Sequence, residues 1–124
     1  MGMTQIKILV TMAGFVLIFV SGFWLNKTGQ PFSAGVLTLH KLLSLALIVY
    51  LVLAVLKINK IAPLSQSELI ACIVTGLLFL GAVAAGGVLS AVKTMPAVVQ
   101  TSHKVLSVLT FLATVVLFLL FRRR

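Results

Sequence analysis

Four long apolar runs constrain the fold of this chain more than any other feature. They cover residues 6–25, 35–56, 69–92 and 97–121 and leave only short connections between them. Each run has about 20 residues or more, which as an α-helix rising 1.5 Å per residue crosses a hydrocarbon core of ~30 Å. Polar and apolar residues do not alternate along the runs, which excludes a transmembrane β-barrel.

The composition supports a membrane protein. The chain is 61% hydrophobic and only 9% charged, which excludes an ordinary soluble domain. We predict an all-α membrane protein with a single domain, a bundle of four transmembrane helices at about residues 4–25, 34–56, 67–92 and 96–121. The first apolar run is too long for a signal peptide and has no clear cleavage site, so we expect it to be retained as a helix.

The net charge of +9 comes from basic residues at the helix ends and in the connections. This distribution predicts contact with the lipid bilayer and its headgroups and argues against binding of nucleic acid. One side collects Lys7, Lys57, Lys60 and the three C-terminal arginines, whereas the other collects Lys27, Lys93, Lys41 and Lys104. The larger positive charge on the first side predicts that both termini are cytoplasmic.

Local signals predict where the helices begin. Ser33 is a plausible N-cap for the second helix, and Ser65 with Glu68 forms a capping-box pattern at the start of the third. Pro96 is expected in the first turn of the fourth helix, after Thr94 or Met95. The capping box gives Glu68, the only acidic residue, a structural role. Cys72 has no second cysteine to pair with, so we expect it to be a small core residue.

The sequence contains an internal repeat. Both Thr38–Ser44 and Thr101–Ser107 contain the pattern His-Lys-x-Leu-Ser, and 63 positions separate the two copies. The two histidines of the chain, His40 and His103, are at the same place in each copy. We therefore predict a duplicated two-helix hairpin with both histidines at equal depth, ~10–12 Å inside the outer face of the membrane.

A histidine within a membrane span is costly, so a functional site is the default hypothesis. The alternative is that each imidazole makes a hydrogen bond to a neighbouring backbone carbonyl or serine and only ties helices together. Zinc needs four ligands, and the chain offers no further ligand at this depth. A haem iron has four porphyrin nitrogens and needs only two axial ligands, so His40 and His103 together complete one haem b.

A flat porphyrin also needs small residues close to it and cations near its propionates. The small residues near the predicted depth are Gly22, Gly86, Gly87, Ser44 and Ser107. Lys41 and Lys104 directly follow the histidines and extend towards the membrane surface. Ordinary helix packing and contact with lipid phosphates are the alternative explanations for these two sets of residues.

A helix with His-Lys-x-Leu-Ser, then an apolar stretch and a basic end, resembles the haem-ligating helices of bacterial four-helix membrane b-type cytochromes, the quinone-linked and hydrogenase-type cytochromes b. The resemblance covers the second and fourth helices. It implies a multi-pass protein of the bacterial inner membrane that exchanges electrons with a quinone or a redox partner protein. Those cytochromes typically bind two haems through four histidines. Two histidines here imply one haem, with any second cofactor supplied by a partner or a second copy of the chain.

Two other functions compete with the cytochrome. A non-catalytic assembly or anchor subunit would use the small-residue face of the third helix as its docking surface. A small multidrug-type transporter has the same size and helix count but relies on an acidic residue within the membrane. We expect an electron-transfer protein rather than a self-sufficient enzyme.

Overall fold

The computed structural model describes residues 3–92, 94 and 96–124, with side chains from residue 5 onward. Lys93 and Met95, which the sequence analysis named, lie outside the described residues. Four α-helices make up the described chain: α1 (Met3–Thr28), α2 (Ala34–Ile61), α3 (Gln66–Ala91) and α4 (Ala97–Arg122). The described ranges contain no strand, so the predicted all-α fold class is confirmed.

The chain divides into two compact units, residues 1–62 and 63–124. The first is a hairpin of α1 and α2, and the second is a hairpin of α3 and α4. This division follows the sequence repeat, since each unit contains one His-Lys-x-Leu-Ser segment.

In the first hairpin, α1 ends where Gly29 adopts a left-handed conformation with φ of +68° and its N–H donates to the carbonyl of Leu25. Glycine adopts this conformation without the steric penalty of a side chain, which makes it the usual residue just after a helix end. Ser33 then caps α2, as predicted, by accepting a hydrogen bond from the N–H of Val36.

The second helix continues to Ile61, five residues beyond the end of its apolar run. Its end is set by backbone sterics rather than hydropathy. Pro63 disfavours the α conformation at the preceding residue, and Ala62 has extended dihedral angles. Lys57 and Lys60, expected in a connection, therefore lie in the last turns of α2.

In the second hairpin, Ser65 and Glu68 form the predicted capping box at the start of α3. The Ser65 N–H donates to Glu68 Oε1 at 2.9 Å, and the Glu68 N–H donates to Ser65 Oγ at 3.2 Å. Pro96 is the N-cap of α4 rather than its first helical residue, because α4 begins at Ala97.

Both hairpins bury a narrow stripe that includes threonine hydroxyls. In the first hairpin, Phe15, Leu47 and Thr11 are buried, and Thr11 Oγ1 donates to the carbonyl of Lys7. In the second, Thr110 and Thr114 are buried on α4 and donate to the carbonyls four residues before them. Each hydroxyl is satisfied within its own helix, so threonine fills these positions without an unpaired polar group.

Most large apolar side chains lie on the outside of the hairpins, including Val16, Leu53, Leu77 and Leu112. All four helices are long and apolar enough to cross a membrane. Aliphatic side chains exposed on this scale are stable in hydrocarbon rather than in water. The chain is therefore a multi-pass membrane protein whose outer surface faces the lipid bilayer.

Candidate functional site

The two histidines occupy the same position in their helices. His40 is the seventh residue of α2, and His103 is the seventh residue of α4. The sequence analysis placed both histidines at equal depth, ~10–12 Å inside the membrane face. Because Pro96 is the cap, both imidazoles project from the second turn, about 9 Å along the helix from its first residue.

The His103 ring makes a direct hydrogen bond to the preceding helix. Its Nδ1 lies 2.8 Å from the carbonyl oxygen of Ala82 on α3. A carbonyl oxygen only accepts, so Nδ1 carries the proton and donates it. In the neutral ring, Nε2 then carries the lone pair, which is the atom that binds a metal.

Gly86 allows this close approach. A Cβ built on Gly86 would lie 2.8 Å from Cε1 and 3.3 Å from Nδ1 of His103. In an α-helix, residue 86 lies one turn above residue 82, directly beside the accepting carbonyl. Any larger residue at position 86 would displace the ring from Ala82.

His40 makes the corresponding contact through a serine. Its Nδ1 lies 2.8 Å from Oγ of Ser21 on α1, and the same Oγ lies 3.0 Å from the carbonyl of Ile18. A Ser21 hydroxyl that donates to the Ile18 carbonyl accepts from Nδ1–H of His40, whereas one that donates to Nδ1 places the ring proton of His40 on Nε2. Gly22 supports the ring here, since a Cβ on it would lie 3.1 Å from His40 Cε1.

The two sites therefore follow one plan. In each, a glycine of the preceding helix lies against the ring, and hydrogen bonds link Nδ1 to the carbonyl four residues before that glycine. In the second hairpin, Nδ1 of His103 contacts the Ala82 carbonyl directly. In the first hairpin, the Ser21 hydroxyl lies between Nδ1 of His40 and the Ile18 carbonyl. Metal-ligating histidines commonly donate their second ring N–H in this way, which fixes the tautomer and raises the basicity of the coordinating nitrogen.

Some of the other predicted residues contact the histidines, and others do not. Ser44 and Ser107 donate to the backbone carbonyls of His40 and His103, at 2.9 and 2.7 Å, rather than to the rings. Gly87 faces open space, because a Cβ on it would meet no atom within 4 Å, and it does not contact His103. Lys41 and Lys104 are exposed beside the histidines.

Other potential ligands have structural partners. Glu68 Oε2 forms an ion pair with Nε of Arg124 at 2.7 Å, while Oε1 accepts from the capping box. The carboxylate thus caps the start of α3, as predicted, and in addition joins it to the end of α4. Within the described ranges, no group of three or more His, Cys, Asp or Glu residues could hold a metal ion.

The alternative given in the sequence analysis, a hydrogen bond from each imidazole to a backbone carbonyl or a serine, names the kinds of partner that the structure shows but not the particular residues. Ser21 was not connected with His40, and the Ala82 carbonyl belongs to the backbone, which no side-chain motif reports. The visible signal was a small residue followed by glycine on the helix before each histidine, Ser21-Gly22 and Ala85-Gly86.

The fold and the paired sites define the class of protein as an all-α, multi-pass membrane protein with a half-buried histidine in each of two hairpins. Comparisons with family models, curated proteins and solved structures gave no match. The function is therefore argued from the residues themselves.

Proposed function

We propose that the chain is a membrane b-type cytochrome that holds one haem b through Nε2 of His40 and Nε2 of His103. It exchanges electrons with a quinone or a redox partner protein in the outer leaflet of the bacterial inner membrane, with both termini in the cytoplasm. When bound, the haem iron supplies one-electron redox chemistry. The chain supplies the two axial ligands, their orientation and an apolar surrounding.

The observation that carries this proposal is the matched hydrogen bond at Nδ1 of both histidines, each made to a helix other than the histidine's own. The Ala82 carbonyl holds His103 in the tautomer with its lone pair on Nε2, and His40 takes the same tautomer when Ser21 donates to Ile18. Two neutral imidazoles with no third ligand suit an iron that already has four porphyrin nitrogens and do not suit zinc. The donor set of the described residues therefore fits a bis-histidine haem.

The neighbouring residues are compatible with this use. Lys41 and Lys104 are exposed one position after each histidine, where their ammonium groups are available to pair with propionates. The glycines against the rings keep bulk away from the imidazoles. Ser44 and Ser107 direct their hydroxyls to their own helices, which leaves small, internally satisfied side chains one turn from each ligand.

A visible absorption spectrum of the purified protein tests the proposal. We expect a sharp, redox-sensitive, six-coordinate low-spin haem spectrum, lost in His40→Ala and in His103→Ala. Thr38→Ala and Thr101→Ala are matched controls, because each exposed threonine lies two residues before a histidine in the repeat. Retention of the low-spin spectrum in both histidine variants, or no bound haem in the wild type, would contradict the proposal.

The same hydrogen bonds also favour a second function, that of a non-catalytic membrane anchor or assembly subunit. In that case, each imidazole simply ties the two helices of its hairpin together, Ser21 to His40 and Ala82 to His103. The histidine variants would then lower thermal stability in a protein that never shows a haem spectrum. The two functions are separated by the wild-type spectrum alone.

A further inference from the structure

The two histidine sites differ in one respect, which is the group that is hydrogen-bonded to Nδ1. Nδ1 of His103 donates directly to a backbone carbonyl, whereas Nδ1 of His40 is hydrogen-bonded to the hydroxyl of Ser21. We propose that Ser21 is a positioning residue that fixes the tautomer of His40 and makes His40 an axial ligand of different strength from His103. The part that concerns the ligand strength rests on the proposed haem.

The geometry shows why a hydroxyl is needed at this position. The Ser21 side chain is buried, with 6% of its surface exposed, and its Oγ lies between Nδ1 of His40 and the Ile18 carbonyl. Removing the hydroxyl would leave the imidazole proton facing a methyl group. An unpaired N–H in this apolar setting is costly, so the ring would turn or move its proton to Nε2.

The second hairpin provides the internal comparison. Ala85 precedes Gly86 as Ser21 precedes Gly22, so α3 has no hydroxyl at the equivalent position. The His103 ring instead lies closer to its glycine, with Cε1 at 2.8 Å from the Cβ position of Gly86 against 3.1 Å at Gly22. The His103 ring thus contacts the Ala82 carbonyl directly, whereas His40 is linked through Ser21 to the equivalent carbonyl, that of Ile18.

This difference has a consequence for the two ligands. A hydrogen bond from Nδ1–H to an acceptor increases electron donation by Nε2, and the effect grows with the strength of the acceptor. A backbone carbonyl and a serine hydroxyl are not equal acceptors. The hydroxyl is itself strengthened as an acceptor by donating to Ile18, because hydrogen bonds in a chain polarise one another.

The first test reads the ring nitrogens in haem-free protein, by nitrogen-15 NMR of histidine-labelled chain in detergent at mildly alkaline pH. We expect both wild-type histidines to be protonated at Nδ1. In Ser21→Ala, His40 should shift to a mixture dominated by the Nε2–H form, while His103 stays unchanged. Ser21→Thr keeps a hydroxyl and should restore the wild-type tautomer.

Two further variants make the comparison specific. Ser90 donates to the carbonyl of Gly87 three residues earlier, as Ser21 does to Ile18, so Ser90→Ala removes a similar hydroxyl and should leave His40 unchanged. Adding Ala85→Ser to Ser21→Ala should not restore the Nδ1–H form of His40, because the new hydroxyl is in the other hairpin. A wild-type His40 protonated at Nε2, or an unchanged Nδ1–H form in Ser21→Ala, would overturn the proposal.

The second test uses haem-loaded protein. Ser21→Ala should raise the midpoint potential, since weaker donation by His40 stabilises the oxidised iron less, and Ser21→Thr should return it towards the wild type. An unchanged potential in Ser21→Ala would refute the unequal-ligand part of the proposal. If the wild type binds no haem, the cytochrome function fails, whereas the tautomer assignment is still decided by NMR.

Discussion

Gly86 lies against the imidazole of His103 so closely that a Cβ on the glycine would be 2.8 Å from Cε1 of the ring. No real Cβ contact is this short, so residue 86 and the ring cannot both keep their places if a side chain is added. The glycine therefore positions the ligand by leaving room for it. Gly22 and His40 repeat the relationship at 3.1 Å, which a shift of a few tenths of an ångström would relieve.

The first prediction is a graded response to alanine at three glycines. Gly86→Ala should displace His103 and break its hydrogen bond to Ala82, a loss of ~1 kcal/mol, whereas Gly22→Ala should weaken the Ser21 contact less. Gly87→Ala is the matched control, because its Cβ would meet nothing within 4 Å. It should be neutral or stabilising by up to ~1 kcal/mol from helix propensity.

Thermal unfolding in detergent and the haem spectrum together check the series. We expect the melting temperature to fall in the order Gly87→Ala, Gly22→Ala, Gly86→Ala, with the low-spin haem signal weakened most in the last. Equal behaviour of Gly86→Ala and Gly87→Ala would show that the ring does not depend on the glycine.

The second prediction concerns the ion pair between Glu68 and Arg124, which closes one end of the second hairpin. The carboxylate is buried and the guanidinium is partly exposed. Arg124→Ala should destabilise the protein by ~1–2 kcal/mol, because it leaves a buried charge without its cation. The double variant Glu68→Gln/Arg124→Ala should be more stable than Arg124→Ala, since glutamine retains the capping acceptor without the charge.

Thermal unfolding of the wild type, Glu68→Gln, Arg124→Ala and the double variant provides the measurement. Arg123→Ala is the control, because Arg123 is exposed and only its backbone N–H has a described role at the end of α4. If Arg124→Ala and Arg123→Ala melted at the same temperature as the wild type, the ion pair would contribute nothing to the hairpin.

The sequence predicted the helices and offered a backbone carbonyl or a serine as the partner of each imidazole, but it did not identify which residues these are, and the reason is a one-residue offset. The histidine segments align at a spacing of 63, whereas Gly22 and Gly86 align at 64. At a single spacing, α1 and α3 match only loosely, so the glycine of each site was not connected with its histidine. Only the hairpin register brings Ser21 and Ala82 to rings that lie 19 and 21 residues further along the chain.

Some helix ends could be predicted from the sequence and others could not. Ser33, Ser65 and Glu68 were predictable because a cap is decided by three or four neighbouring residues. The predicted end of α2, at Leu56, was wrong, because it followed the end of the apolar pattern. Lys57 and Lys60 are good helix formers, and the first residue that sterically blocks the helix is Pro63.

The third prediction is the topology. Lys27 and Lys60 lie in the last turns of α1 and α2, at opposite ends of one hairpin, and both are exposed. With Cys72 replaced by serine, a membrane-impermeant thiol reagent should label Lys27→Cys from outside the cell. Lys60→Cys should react only after the cytoplasmic face is opened. Labelling of Lys60→Cys from outside would reverse the assignment of the termini.

The last prediction is that the chain binds one haem, which exchanges electrons from the outer side. The helix lengths support this placement. With 28 and 26 residues, α2 and α4 are ~42 and ~39 Å long, which exceeds a ~30 Å hydrocarbon core by ~9–12 Å. Each histidine is ~9 Å from the start of its helix. Whichever end takes the excess length, the imidazoles lie between ~3 Å outside the hydrocarbon boundary and ~9 Å inside it, in the half of the membrane at which α2 and α4 begin.

The measurement is iron and haem content of purified protein, followed by reduction of oriented proteoliposomes from each side. We expect one haem per chain and fast reduction only from the face at which α2 and α4 begin. A reductant on the other face would need a quinone, a partner cofactor or a second copy of the chain to cross the remaining distance. The exposed Lys41 and Lys104 near the same face should favour an acidic redox partner, so the association rate should fall as salt is added. Two haems per chain, or equal rates from both faces without added partner or quinone, would contradict a single outward haem.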